Sequence, residues 1–230
     1  MINQDKENFL DKCKKNPDFV QKIIDDFTKL YYYSSALGGT WKDTYWRGIP
    51  IQKNPMDLII YQELIVRIKP DIIIETGTKV GGSALFFADL CHLMRQGEVM
   101  TIDINKIDRL PQDNRITYLT GNSISDDIID FISQRIINRN KKVLVILDSD
   151  HNKNHVLKEL EIYSNFVSVG SYLIVEDTII NKNPVVGLFE EGPFEAIEAF
   201  MRQTSNFKID RYCEKFYFTF NRCGYLIRTK

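Results

Sequence analysis

The residues that could do chemistry are acids at regular places. Glu75, Asp103, Asp148, Glu176 and Asp177 each close a short apolar run: "DIII", "VMTI", "VLVIL" and "YLIV". Asp148 and Glu176 are 28 residues apart, about one strand–helix–strand unit, and Asp150 follows the first while Asp177 follows the second. Adjacent parallel strands would bring these carboxylates to one point. Three or four of them together repel strongly unless a cation sits among them. A set of oxygen ligands selects a hard ion, Mg²⁺ or Ca²⁺, over zinc. Asp150 has an alternative role as cap of the helix that begins near Asn154. His151 directly follows this cluster, where it is either a base working near neutral pH or a supporting residue at a helix start. His155, one helical turn on, reads as structural, and His92 as a surface or core residue.

The second constellation is "ETGTKVGGS", Glu75 to Ser83, directly after the first apolar run. Gly77 lets the chain turn sharply, and Gly81 and Gly82 would let a ligand approach as the next helix starts. From Gly77 the order is G-T-K-V-G-G, which is not the GxGxxG that seats a pyrophosphate. An acid ahead of the glycines also suits a ligand with a cationic amino group better than a pyrophosphate. Asp103 ends the following strand, placed to accept both hydroxyls of a ribose. "TGNS", Thr120 to Ser123, supplies small polar residues to flank an adenine. Together these fit S-adenosylmethionine better than a nicotinamide dinucleotide. The cofactor-binding candidates are Glu75, Gly77, Thr78, Gly81, Ser83, Asp103, Asn122, Ser123 and Asp148. The alternatives are a nicotinamide-dependent oxidoreductase and a non-catalytic nucleotide-binding protein.

Short β-branched strands alternate with helices from Asp71 to Thr204, the pattern of a parallel α/β sheet with right-handed crossovers. Ligands of such sheets bind at the carboxyl ends of the strands, where the acids stand. "FKIDRYCEKFYFTFNRCGYLIRT" reads as two closing strands around "NRCG", an antiparallel hairpin at the sheet edge. Ahead of the sheet, "PMDLIIYQELIVRIKP" is an amphipathic helix that stops before Pro70. Residues 5–35 recur apolar at helical spacing, with one break at Pro17. The expected organisation is an N-terminal helical extension over 1–40 and one domain over 41–230.

Of the 230 residues, 43% are hydrophobic and 27% charged, ordinary for a globular chain with a full core. A net charge of −1 argues against a broad nucleic-acid footprint. No apolar run approaches the ~20 residues that span a bilayer. Cys13, Cys91, Cys213 and Cys223 form no CxxC pair and read as reduced thiols of a cytoplasmic protein. The N-terminal helices and the closing hairpin are candidate surfaces for a homo-oligomer.

The segments "WRGIPIQKNPMDLIIYQELI", "IIIETGTKVGGSALFFADL", "VILDSDHNKNHVLKELEIYSNFVSVGSYLIVEDT" and "EKFYFTFNRCGYLIR" resemble the cephalosporin hydroxylase / rhamnosyl O-methyltransferase family, from Trp41 to Arg228. The resemblance implies a Rossmann-like class I methyltransferase that uses S-adenosylmethionine, often with Mg²⁺. It implies Asp148, Glu176 and Asp177 as metal ligands, an arrangement similar to that of the catechol O-methyltransferases. Glu75, Gly77 and Asp103 would contact the cofactor. His151 or Asp150 would take the proton of an acceptor hydroxyl on a small molecule or glycan, in natural-product or glycan biosynthesis. Tyr45, Trp46 and Gln52 are candidates for the acceptor side. Asn181–Pro193, long and glycine-bearing, is expected to act as a lid.

Overall fold

The computed structural model describes residues 2–137, 141–187 and 190–230. Two compact units emerge, Met1–Trp41 and Lys42–Lys230. The first holds α1 (Ile2–Lys15) and α2 (Pro17–Tyr32). Asn16 divides them: its side chain accepts the Phe19 N–H, and Pro17 takes the first helical position, where a missing N–H costs nothing. Phe9 meets Phe19 edge-on across the break, ring centroids 6.1 Å apart.

The second unit begins with a two-residue ribbon, β1 (Tyr45–Trp46) against β2 (Ile49–Pro50), and then α3 (Pro55–Ile68). Next come β3 (Ile72–Thr76), α4 (Gly82–Met94), β4 (Glu98–Asp103), β5 (Ile116–Thr120), α5 (Asp126–Ile137), β6 (Val143–Leu147), α6 (Lys153–Tyr163), β7 (Tyr172–Val175) and α7 (Pro193–Gln203). Two short strands follow, β8 (Phe207–Ile209) and β9 (Tyr225–Arg228). The sheet runs β5-β4-β3-β6-β7-β9-β8, parallel through β7 and antiparallel beyond. This is the expected α/β, Rossmann-like architecture of a class I methyltransferase.

Strand alternation divides the core. Ile73 packs on one face with Tyr61, Leu64 and Phe87 from α3 and α4. Ile72 and Ile74 face the other way, onto Ile132, Leu160 and Ile197 from α5, α6 and α7. Both faces are covered, so β3 and β6 are apolar almost throughout.

The closing hairpin takes a different form from the expected one. Its strands are antiparallel, but "YFTF" is no strand, and β9 enters between β7 and β8. Donors of that segment go elsewhere. Phe220 N–H donates to Asp57 Oδ2 (2.9 Å), and the Thr219 hydroxyl to Asp57 Oδ1 (2.5 Å). "NRCG" serves as a strap under the end of β7: Asn221 Oδ1 accepts the Asp177 N–H, and the Thr178 hydroxyl donates to the Arg222 carbonyl.

Candidate active site

Strand register explains why distant acids meet. Thr76 pairs with Ile102 on one side and Leu147 on the other, and Leu147 with Val175. The next residues, Gly77, Asp103, Asp148 and Glu176, therefore stand at one edge of the sheet. β3 lies between β4 and β6, the point where the strand order reverses.

A cavity of about 520 Å³ opens there, within the usual range for small-molecule sites. Gly77, Asp103, Asn122, Ser123, Asp150 and His151 line it, all six predicted from sequence. Asn105, Ser149 and His155 line it as well and were not predicted for it. His155 is thus a wall residue and more than a structural one. Its Nε2 lies 3.2 Å from Ser123 Oγ, and hydrogen bonding to Glu159 raises its pKa.

Asp103 is held for recognition. Oδ2 accepts the Lys79 N–H at 2.8 Å and Oδ1 the Asn105 N–H at 2.9 Å. Each oxygen keeps a lone pair for a ligand hydroxyl. Glu75, in contrast, is fully buried and does not line the cavity. Thr101 Oγ1 donates to its Oε2, while Oε1 lacks a well-formed hydrogen bond. Burial pushes its pKa to about 7, against the Lys53 charge and the Ser83 and Thr101 hydroxyls.

Gly77 turns the chain as expected, at φ 94°, and the glycines also meet close packing. A Cβ on Gly77 would come within 1.9 Å of the Asp148 carbonyl oxygen, and one on Gly82 within 2.2 Å of that of Pro50. Pro111 covers Gly81. The chain's own backbone fills the approach reserved in the sequence reading for a ligand. Gly81, Thr78, Ser83 and Asp148 stand outside the cavity wall.

The acidic cluster contains its own cation. Lys53, 5% exposed, donates to Asp148 Oδ2 at 2.5 Å and lies 2.7 Å from Glu176 Oε1. Burial alone would lower the ammonium pKa; Asp148, Glu176 and Glu75 outweigh it and raise it. Glu176 is pushed up by burial and by Asp148, with Lys53 opposing. Of the expected metal triad, Asp148 and Glu176 share Lys53, and Asp148 and Asp177 also approach His151. The group whose ligand atoms gather within 4.8 Å is Asp148, His151 and Asp177. His151 Nε2 is 3.4 Å from Asp177 Oδ2. Burial raises the Asp177 pKa, against His151. Two carboxylates and an imidazole around one point fit a divalent cation. Asp177 holds a left-handed backbone, φ 53°, a conformation that aspartate and asparagine adopt more readily than most residues.

Other expectations change. The cap of α6 is Asn152, which accepts the Asn154 N–H; Asp150 accepts the Asn152 N–H from the loop before it and lies exposed at the cavity. Trp46 is fixed by Asp89 and packs edge-on to Phe86, and Gln52 pairs with Lys79. His92 pairs with Asp113. In the proposed lid, Asn183 donates to Glu195 and Lys182 N–H to the Val185 carbonyl, so residues 182–185 are tied to the fold. Residues 188–189 of that segment lie outside the described residues. Lys53 was missed altogether. Its signal was the need for a positive charge among converging acids, which was assigned wholly to a metal.

The fold is that of the class I methyltransferases. Among solved structures, one of CmcI with Mg and SAM has a TM-score of 0.62 at 20% identity, covering 82% of this chain and 78% of that one. An O-methyltransferase from Bacillus cereus with SAH follows at 0.50 and 16%, covering 83% and 80%. The chain belongs to the family described as Rhamnosyl O-methyltransferase/CmcI, whose profile matches residues 39–229. It is 36% identical over 211 residues to the rhamnosyl O-methyltransferase of Mycobacterium leprae, covering 90% of each. Identity to that of Mycobacterium tuberculosis is 36% over 213 residues, with 90% of this chain and 85% of the relative covered. The protein is an O-methyltransferase, and the nicotinamide-dependent alternative falls away. No helix among the described residues is long and apolar enough to cross a membrane. The four cysteines are free.

Proposed function

We propose that this protein moves a methyl group from S-adenosylmethionine to a hydroxyl of a sugar or natural-product acceptor, with a divalent cation, Mg²⁺, at the acid cluster. The observation that carries the reading is His151, which belongs both to the cavity wall and to the Asp148–His151–Asp177 group. Cofactor and cation positions thus share a residue. The relatives named rhamnosyl O-methyltransferase favour a sugar hydroxyl, and the CmcI structure with Mg and SAM favours this cofactor pair.

S-adenosylmethionine supplies an electrophilic methyl on a sulfonium, and a bound Mg²⁺ supplies charge that orients the acceptor hydroxyl and lowers its pKa. The chain does the rest. Asp103 binds the ribose hydroxyls, with Asn122 and Ser123 beside the base. Asp148 and Asp177 hold the cation. His151 takes the acceptor proton, and the Asp177 carboxylate, 3.4 Å from its Nε2, stabilises the imidazolium. Asp150, at the cavity rim, keeps that side polar. Fixing the two reactants in line contributes much of the remaining rate. The helical region 1–40 is a separate extension in this reading, and 41–230 the methyl-transfer domain.

The direct test is methyl transfer from labelled S-adenosylmethionine to rhamnosides and other deoxysugar glycosides, with simple phenols in parallel, in Mg²⁺ and in EDTA. Transfer confined to phenols, or undiminished in EDTA, would reject the acceptor or the cation respectively. Calorimetry should show S-adenosylhomocysteine bound and NAD not. Asp103→Asn should weaken S-adenosylhomocysteine about tenfold or more, the loss of a charged hydrogen-bond acceptor. His151→Asn should lower kcat by about 10²–10⁴-fold while Mn²⁺ still binds. Loss of Mn²⁺ binding in that variant would make His151 a ligand in place of the base.

A further inference from the structure

Asn221 opens the strap under β7 and is 1% exposed, and each of its polar atoms has a partner. Its N–H donates to Thr219 Oγ1 at 2.9 Å, and its carbonyl accepts the Gly224 N–H at 2.8 Å, so the backbone is pinned. The side-chain Oδ1 accepts the Asp177 N–H at 3.2 Å. A backbone N–H only donates, so this contact fixes which way the amide faces. Nδ2 then has two protons to give. One goes to the Tyr61 hydroxyl oxygen at 2.8 Å, the other to that of Tyr225 at 3.4 Å. Each tyrosine, having accepted, keeps a proton to donate. Tyr225 gives its proton to Asp57 Oδ1 at 2.8 Å, and Tyr61 gives its own to Glu176. One amide thus orders two hydroxyl protons in a buried chain whose members polarise one another. Both acids that follow β7 hang from it, Asp177 by its backbone and Glu176 through a tyrosine.

We infer that Asn221 is a positioning residue for the acid cluster, aiming Asp177 directly and Glu176 by way of the Tyr61 hydroxyl before a divalent cation arrives. This rests on the reading that such a cation sits at the cluster. The two arms of the amide divide the work. The Tyr61 arm reaches the catalytic edge of the sheet, and the Tyr225 arm reaches Asp57, on α3. Asn221 touches neither cofactor nor acceptor in this role. It spares the cation the cost of ordering two carboxylates that would otherwise be free to turn.

The test compares the two arms by Mn²⁺ calorimetry on the full chain, beginning from metal-free protein, with melting temperatures measured in EDTA. Tyr61→Phe and Tyr225→Phe each remove one hydroxyl and keep the ring. Both should lower the melting temperature. Tyr61→Phe should weaken Mn²⁺ roughly tenfold and Asn221→Ala at least as much, while Tyr225→Phe should stay within about twofold of wild type. The Tyr61→Phe and Asn221→Ala losses should be less than additive in the double variant, because one acts through the other. If Asn221→Ala does not fold, the two tyrosine variants still decide. Equal Mn²⁺ affinities in the two tyrosine variants mean that the chain is merely structural and overturn the inference alone, as does Asn221→Ala that binds Mn²⁺ like wild type. Wild type that binds no Mn²⁺ overturns the cation reading and this inference with it.

Discussion

Glu176 and Asp57 are both carboxylates buried to within a few per cent, yet they are satisfied in opposite ways. Glu176 is met chiefly by a charge, Lys53, with the Tyr61 hydroxyl beside it, and its Oε1 forms no well-aligned hydrogen bond. Asp57 is met by neutral donors: the Thr219 hydroxyl, the Phe220 N–H and the Tyr225 hydroxyl. Charge contacts tolerate movement and exchange of the counter-ion, whereas three directed hydrogen bonds fix one geometry. The first arrangement suits a place where ions and ligands come and go. The second suits a joint, and Asp57 is the joint that ties α3 to the strap under β7.

The largest effect that would break this contrast is on stability. Asp57→Ala leaves three buried donors unpaired and should cost about 3 kcal/mol or more by urea unfolding, with no recovery in Mn²⁺. Recovery by Mn²⁺ would place Asp57 within the ion site and end the distinction. The pH dependence follows next. Burial pushes Asp57 to about 6, against its three hydrogen bonds. An acid whose folded pKa is raised stabilises fully below its unfolded value, and that contribution is lost as pH rises through the folded one. Stability relative to Asp57→Asn should therefore fall between about pH 4 and 6 by about 3 kcal/mol and then level off. A rise over that range would show that the hydrogen bonds outweigh burial. Tyr225→Phe removes one donor of three and should cost about 1 kcal/mol. Smallest is Asn54→Ala, which removes the cap of α3 between Lys53 and Asp57 and should cost roughly 1 kcal/mol or less. Any accompanying change in Mn²⁺ affinity would show that the cap also aims Lys53.

The sequence made the sheet legible because strands covered on both faces are nearly pure Val, Ile and Leu, and because the acids stop those runs at matching points. Asp103 was legible for the same reason: a polar residue at a strand end has one place to go. Lys53 was not, since a lysine in a loop looks solvated until the fold encloses it. The strap was misread because Tyr217–Phe220 alternates like a strand, while its donors are taken by Asp57, a residue 163 positions away from Phe220. Glycine spacing was read correctly as a turn, but the need it meets is close backbone packing, which no local pattern reveals.

The Asp57–Thr219 pair also bears on time. Its partners are 162 residues apart in sequence, and such contacts must await closure of a long loop, an entropic cost that grows slowly with length but delays the contact. Asp177 takes its backbone support from Asn221, in the same strap. A refolding chain should therefore recover most of its helical signal before it regains cofactor binding, with the catalytic edge of the sheet among the last parts to be completed.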